Sequence, residues 1–358
     1  MKRFIALTVS MLLMLSGVAF AGETKVSGFA DIWYVITDEP NDPATAGADH
    51  PTEKKFLADA EIDVRSKISD KLTVLLDVEF DLAANGGANA GNALFGSNSD
   101  SGRIEQAAFV STTLPVAVIG GVFNNPIGLE EEDAPDMDFF SHGQIYNILD
   151  GQTILDGDNI AGAALQKTFG PATITVAYLD ELNLTAEENS MAALLNLNIM
   201  KGLDLEVGYV TAADQADSGL TATTLAGDVY LGAESALDVN LTVTAVPNLY
   251  IGVEYFTAGE VIDSAYGVTA KYSILDNLSV AARYDAVQYA DLNLAAGGTL
   301  AAPDDTTSTT VAVTYGLDEN LDVVLEHRDT DDADGIAALA GLAKGDGVET
   351  TLEFIARF

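Results

Sequence analysis

The chain has 358 residues and carries 16 Lys+Arg against 55 Asp+Glu, a formal net charge of -39. That balance argues against nucleic-acid binding, because a phosphate backbone is gripped by clustered basic side chains. Yet 48% of the residues are apolar and only 20% charged, so this is not an acidic disordered tail. With no cysteine and three histidines, the composition excludes disulfides, thiolate metal sites and iron–sulfur clusters, and leaves little for a zinc enzyme or a Ser-His-acid triad.

Residues 1–21 carry Lys2 and Arg3, an apolar stretch from Phe4 to Leu15 and a small-x-small end at Ala19-Phe20-Ala21. That pattern predicts a secretory signal peptide, with a mature chain beginning near Gly22. Without Lys2 and Arg3 the formal charge of -39 becomes -41. The best later apolar stretch, Val116 to Phe123, is far short of the roughly 18 residues of a transmembrane helix.

From there the recurring signal is period two. In the segment 56–68, Ala58, Ala60, Ile62 and Val64 alternate with Asp59, Glu61, Asp63, Arg65 and Lys67. In 72–82, Leu76, Val78, Phe80 and Leu82 alternate with Asp77, Glu79 and Asp81. Each reads as a strand with one apolar and one charged face, and Ser69-Asp70-Lys71 joins the two as a hairpin. The same spacing predicts strands over 25–37, 103–112, 115–124, 158–169, 171–182, 189–200, 203–213, 235–245, 249–258, 264–274, 278–289, 307–315, 321–329 and 347–358. The total is sixteen, with 220–234 assigned to a loop and counts of fourteen or eighteen left open. In 203–213, Leu203, Leu205, Val207 and Tyr209 oppose Asp204, Glu206 and Gly208.

Connections alternate in length. Short ones, such as FGP, MKG, VPN and LDN, face long ones over 38–55, 83–102, 125–157, 214–234, 290–306 and 330–346. This is the arrangement of an all-β, transmembrane antiparallel β-barrel whose ends face different compartments. Only a closed sheet leaves no unpaired backbone edge in hydrocarbon, and sixteen strands enclose an aqueous channel. Charge then belongs inside, with both termini on the periplasmic side. Trp33, Tyr34, Tyr178, Tyr209, Tyr250, Tyr255, Tyr284, Tyr289 and Phe358 read as interfacial belts.

Two sets of residues are candidates for function. The loop 125–157 carries Glu130, Glu131, Glu132, Asp133, Asp136, Asp138 and Asp150, with Pro126, Gly128 and Pro135 fixing its exit from the wall. It reads as a pore constriction folded into the lumen, or else as a solvated outer loop. On the wall, inward parity selects the acids Asp59, Glu61, Asp77, Glu79, Asp204 and Glu206. It selects the cations Arg65, Lys67, Arg103, Lys271, Arg283, Arg328 and Arg357. Those cations balance nearby carboxylates, or set a transverse field; charge balancing is favoured. The run Asp329 to Gly335 superficially resembles a calcium loop, but its spacing is imperfect and a twelfth-position Glu is missing, so no metal ligand or cofactor is assigned. His50, His142 and His327 are isolated, and Ser141-His142 lacks the context of a nucleophile elbow, so no catalytic residue is assigned and the chain is read as a non-enzyme.

The closing strand GVETTLEFIARF, ending on Phe358, together with Gly120-Gly121-Val122-Phe123-Asn124-Asn125-Pro126-Ile127-Gly128-Leu129-Glu130, resembles the bacterial outer-membrane general porins. The terminal aromatic is similar to the signal read by the barrel assembly machinery. The glycine-rich segment resembles the one leading into their inward-folded third loop, where acidic residues face an Arg/Lys ladder that is thin in this chain. The resemblance implies passive diffusion of small hydrophilic solutes and ions, here with preference for cations. It also implies a homotrimer in contact with outer-membrane lipid and lipopolysaccharide. The rival readings are a structural or adhesive outer-membrane barrel and a substrate-specific channel.

Overall fold

The computed structural model describes residues 22–38, 53–80, 103–150, 159–180, 189–211, 235–258, 262–293, 299–300, 305–331 and 347–358. In chain order the strands are β1 (Glu23–Asp38), β2 (Glu53–Ser69), β3 (Leu72–Glu79), β4 (Arg103–Ser111) and β5 (Ala117–Asn124). A short helix α1 (Gln144–Asp150) follows. Then come β6 (Asn159–Phe169), β7 (Ala172–Leu179), β8 (Ser190–Met200), β9 (Leu203–Thr211), β10 (Ser235–Val243), β11 (Leu249–Ala258), β12 (Ile262–Leu275) and β13 (Leu278–Tyr289). A small hairpin of β14 (Leu292–Asn293) and β15 (Thr299–Leu300) precedes β16 (Thr306–Asp318), β17 (Leu321–Asp331) and β18 (Gly347–Arg357).

All but β14 and β15 join one closed antiparallel barrel of sixteen strands, in which every chain neighbour is a spatial neighbour. Closure comes from β1 meeting β18, from Phe29 opposite Arg357 to Asp38 opposite Val348. Phe358 N–H donates to Gly28 O at 3.0 Å, so both ends of the described chain lie at the short-turn end. The expected strand count and order hold. The predicted signal peptide, 1–21, and the stretch 220–234 lie outside the described residues.

The tight turns use residues that tolerate positive φ. Asn248 has φ 64° between β10 and β11, and Gly202 has φ 76° between β8 and β9. A Cβ at Gly202 would also stand 2.6 Å from Ala245 N. Gly121 in β5 has φ 133°, and a Cβ there would meet Ala107 O at 2.1 Å, so the chain crosses β4 too closely for a side chain.

Alternation sorts the strands into two faces. Leu165, Ile174, Val176, Val253, Val268 and Leu325 are exposed on the outside, where lipid is their solvent. The interleaved positions, among them Thr175, Asp238, Glu254, Glu326 and Glu353, are buried. Strict alternation fails once in β4. Asp77 pairs with Gln106 and Val78 with Ile104, leaving Glu105 as an extra residue. This bulge holds Glu105 on the lumen side at 5% exposure and shifts the phase, so that Ala108 is buried and Phe109 faces out.

Two expectations are corrected here. Tyr178, Tyr209, Tyr255 and Tyr284 are exposed on the outer face, joined by Tyr266 opposite Tyr255. Trp33 instead points inward, its ring 5.3 Å from Phe140, and Tyr250 lines an internal cavity with Leu129 and Glu254. Tyr289 packs beside the internal apolar cluster. The lumen, moreover, is not lined by polar groups throughout. Ile145, Ile148 and Leu149 of α1 pack with Ile127 onto Leu179, Leu194, Val210, Phe256 and Ile262 of the wall. Where the wall meets protein rather than water, inward positions can be apolar; burying one such side chain contributes about 1.5–3 kcal/mol.

The outer face generates a test. Leu325→Arg puts a charge at the middle of β17 on a side chain 51% exposed to lipid. The expected cost is about 2–4 kcal/mol in urea unfolding from lipid vesicles.

Candidate functional site

The segment from Asn125 to Leu149 leaves β5 and is held to the lumen face by its backbone. Gly128 N–H donates to Asp238 Oδ2 at 3.1 Å and Leu129 N–H to Glu254 Oε1 at 3.0 Å. Across the barrel, Phe140 N–H donates to Glu326 Oε2 at 2.7 Å and Ser141 N–H to both oxygens of the same carboxylate at 3.2 Å. Irregular backbone at this depth needs partners, and wall carboxylates supply them.

Arg283 on β13 is the centre of this arrangement. Its side chain is 4% exposed, and a buried guanidinium is tolerated only when its donors are used. Nη1 donates to Glu130 Oε1 at 2.6 Å and Nε to Asp285 Oδ2 at 3.0 Å. Nη2 donates to Ser141 O at 2.8 Å and Ser141 Oγ at 3.1 Å. The Phe139 ring centroid lies 4.6 Å from Cζ, adding a cation–π contact. Two further cations tie loop to wall: Lys271 pairs with Asp138, and Arg357 pairs with Asp322 and donates to Pro135 O at 3.1 Å.

The remaining candidates fall into separate places. Glu131 lines a cavity of about 370 Å³ with Asp204 and Glu206, whose carboxylates accept hydrogen bonds from Asn198 and Asn196. Glu132 accepts from Asn159 Nδ2 at 3.1 Å. Asp136 is exposed and lines a second cavity, of about 340 Å³, with Glu130, Asp138, Lys271 and Arg283. Asp133, Asp59, Glu61 and Glu79 share a third, of about 280 Å³. Asp77 sits beside Glu61 and Asp63, their carboxylate oxygens within 4.8 Å of one another. Arg65 is exposed on the inward face of β2, and Arg328 donates from Nε to Ser308 Oγ at 3.3 Å. The Arg103 side chain, the Asp150 side chain and residues 151–157 lie outside the described residues.

Burial raises the Glu130 carboxyl, while the Arg283 charge and the Gly143 N–H, at 2.6 Å, favour its ionised form. Burial also pushes Asp133 up to about 6; a hydrogen bond with Glu61 opposes that, and Asp63, Asp136 and Glu131 add to it. His142 is stacked on Tyr146 at 3.7 Å between ring centroids. Its side chain keeps 26% of its surface open, yet it lies deep in the barrel, and burial with the charges of Arg283 and Arg328 pushes it down to about 3.

The residues that anchor the loop include two that the sequence reading did not name, Asp238 and Glu254, beside Asp285, expected as a partner of the wall cations, and Glu326, expected on the inward face of its strand. They share the inward parity of the chosen acids, and that parity was the available signal. Which of them would meet a backbone N–H is a property of the loop's path.

A family description of Gram-negative porins matches residues 6–335. The chain belongs to that family. No curated protein matches its sequence. The porin barrel is also similar to solved outer-membrane structures at low identity. OmpF of Salmonella typhi, in complex with daunomycin, has a TM-score of 0.64 at 14% identity, over 95% of this chain and 99% of that one. OprB of Pseudomonas putida has a TM-score of 0.63 at 12% identity, over 94% of each chain. A trimer form of OmpT from Vibrio cholerae has a TM-score of 0.58 at 14% identity, over 94% of this chain and 100% of that one. This porin is therefore a protein of the bacterial outer membrane.

Two outcomes follow from the site. Arg283→Met strands Glu130 and Asp285 without their counter-charge, and breaking a buried pair costs about 3–5 kcal/mol. The loop should become a site of limited proteolysis, and adding Glu130→Leu should recover much of the loss. The second outcome concerns pH. With the His142 pKa near 3 against an ordinary 6.5, the folded chain binds fewer protons than the unfolded one between those values. This site's contribution to stability is therefore full above pH 6.5 and lost as pH falls toward 3. In the folded porin the ring resonances of labelled His142 should hold their shifts from about pH 8 to 5.

Proposed function

We propose that this porin is a passive, water-filled channel for small hydrophilic solutes that prefers cations, with residues 125–157 forming its constriction. The observation that carries the preference is how the charges are distributed among the described residues. Lys271, Arg283 and Arg357 are each committed to carboxylates. Glu131, Asp204 and Glu206 line the cavity of about 370 Å³ with no Lys or Arg among its lining residues. Acids left without a counter-charge beside water create a negative potential that concentrates cations. The barrel contacts of the loop support a constriction, because chain that crosses the lumen reduces its open section.

The rest of the reading follows the family. Residues 1–21 direct export and are removed, leaving residues 22–358 as the outer-membrane barrel. The barrel assembly machinery reads the strand ending at Phe358, and the outer face meets lipid and lipopolysaccharide. The chain assembles as a homotrimer, a state named for the similar OmpT of Vibrio cholerae. It performs no catalysis.

Reversal potentials across a tenfold KCl gradient test the preference. The wild type should pass cations over anions, and more weakly at high salt, because screening shortens from about 10 Å at 0.1 M to about 3 Å at 1 M. The variant Glu131→Gln/Asp204→Asn/Glu206→Gln should bring the permeability ratio closer to one. Anion preference in the wild type would reject the reading. Deleting residues 129–150 should raise single-channel conductance and admit bulkier solutes; unchanged values would reject the constriction.

A further inference from the structure

The cavity of about 370 Å³ between the loop and the wall of β7–β10 differs in its chemistry from the two other cavities beside the loop's acids. Neither Lys nor Arg nor an aromatic ring lines it, and beside its three carboxylates stand three Asn and two Thr side chains. The strand register lays them out in two neighbouring rows. Thr173, Asn196, Glu206 and Asn240 stand opposite one another along one, and Asn198, Asp204 and Thr242 along the next. Cβ atoms of directly opposed residues are about 4.5–5.5 Å apart, so amides, hydroxyls and carboxylates alternate within reach of one small solute.

Two observations separate this surface from a plain acidic wall. The first is that its wall carboxylates are met by amides. Asn196 Nδ2 donates to Glu206, and Asn198 Nδ2 donates to Asp204 Oδ1 at 2.6 Å. A primary amide has two N–H donors and a carbonyl, so an Asn that gives one N–H to its neighbour keeps both a donor and an acceptor. The second is Asn240, which lines the same cavity at 3% exposure. It spends Nδ2 on Asp238 Oδ2 at 2.7 Å, and its Oδ1 has no hydrogen-bond partner. A buried amide oxygen left open calls for a donor.

We propose that this surface, together with Leu129 and Glu131 of the loop, is a subsite that retains a neutral polyhydroxylated solute. A bare cation uses acceptors alone and leaves the amide N–H groups unmatched. Each hydroxyl of a polyol both donates and accepts, and so answers amide and carboxylate together. An anionic sugar is disfavoured, because three carboxylates line the space with no cation among them. Leu129 offers an apolar contact to C–H groups. With no aromatic ring to stack on, an open-chain polyol fits as well as a sugar ring. The volume falls within the about 300–1,000 Å³ of small-molecule sites. Pro171 of the β6–β7 turn is part of the lining, which puts the subsite toward the short-turn end of the barrel. The inference rests on the channel reading only for the route by which solutes arrive.

Saturation-transfer difference NMR on the folded, full-length porin, in a detergent without sugar headgroups, tests the assignment with sorbitol as the probe. The wild type should give a saturable signal with a Kd on the order of 1–10 mM. Triethylene glycol dimethyl ether, similar in size but able only to accept hydrogen bonds, should give none. Asn196→Ala/Asn198→Ala should weaken sorbitol binding at least about tenfold, which corresponds to about 1.4 kcal/mol. Should that variant fail to fold, Asn198→Asp exchanges an exposed amide for an acceptor, and should weaken sorbitol about threefold or more while strengthening choline. No saturable sorbitol signal from the folded wild type, an equal signal from the ether, or unchanged sorbitol binding in either folded variant would overturn the proposal. Choline saturating where sorbitol gives no signal would make this surface a cation site instead. A barrel that binds sorbitol but gives no ohmic step would reject the channel and keep the subsite, whereas an ohmic, cation-preferring channel without sorbitol binding would do the reverse.

Discussion

A backbone amide in hydrocarbon has no water to bond to, and this constraint governs the whole molecule. Each strand must find partners on both sides, so the sheet has to close, and it does so where β1 meets β18. Once the ring is closed, alternation along every strand sends one set of side chains to lipid and the other to the lumen. Val176 and Thr175, or Leu325 and Glu326, are adjacent in the chain and face opposite solvents. The high acidic content is thereby accommodated without a polar outer surface.

Closure also creates the problem that the loop answers. A sixteen-stranded ring is too wide for its own inward side chains to fill. The chain from Asn125 to Leu149 enters that gap and changes what the wall residues experience. Toward α1 it makes the lumen a packed apolar interior, with Leu179, Val210 and Phe256 covered by Ile145 and Leu149. Around Arg283 it makes a network in which one guanidinium joins two carboxylates, a serine and an aromatic ring. The same wall alternation therefore yields apolar packing in one quarter and charge pairing in another, according to what the loop brings to it.

The charges follow the same division. Cations on β12, β13 and β18 are held by the loop and by neighbouring acids. The β1–β4 side carries Asp31, Glu61 and Glu105 with Asp133 folded against them, and no Lys or Arg lines the space they share. A net charge taken from the composition averages over these regions. The potential met by a solute depends on which carboxylates already have partners.

Much of the fold is legible in the sequence, because both periodicity and loop length are local properties. Period two in segments such as 72–82 and 203–213, with turns at Ser69-Asp70-Lys71 and Gly202, determines strands and their pairing order without knowledge of distant contacts. The same parity determines that Asp204 and Glu206 lie on the face opposite Tyr209. It does not determine what occupies the space in front of a face. Trp33 and Tyr250 have the composition of belt residues, yet they share the inward parity of Asp31 and Glu254, and inside the barrel Trp33 meets Phe140 while Tyr250 shares a cavity with Leu129. Glu105 is aimed by a bulge that appears only when β4 is laid beside β3. Glu326 and Glu254 became loop anchors through hydrogen bonds to residues 125 or more positions away. Alternation is written along one strand, whereas these contacts are set by the path of a second segment across the closed barrel, and only the tertiary structure decides that path.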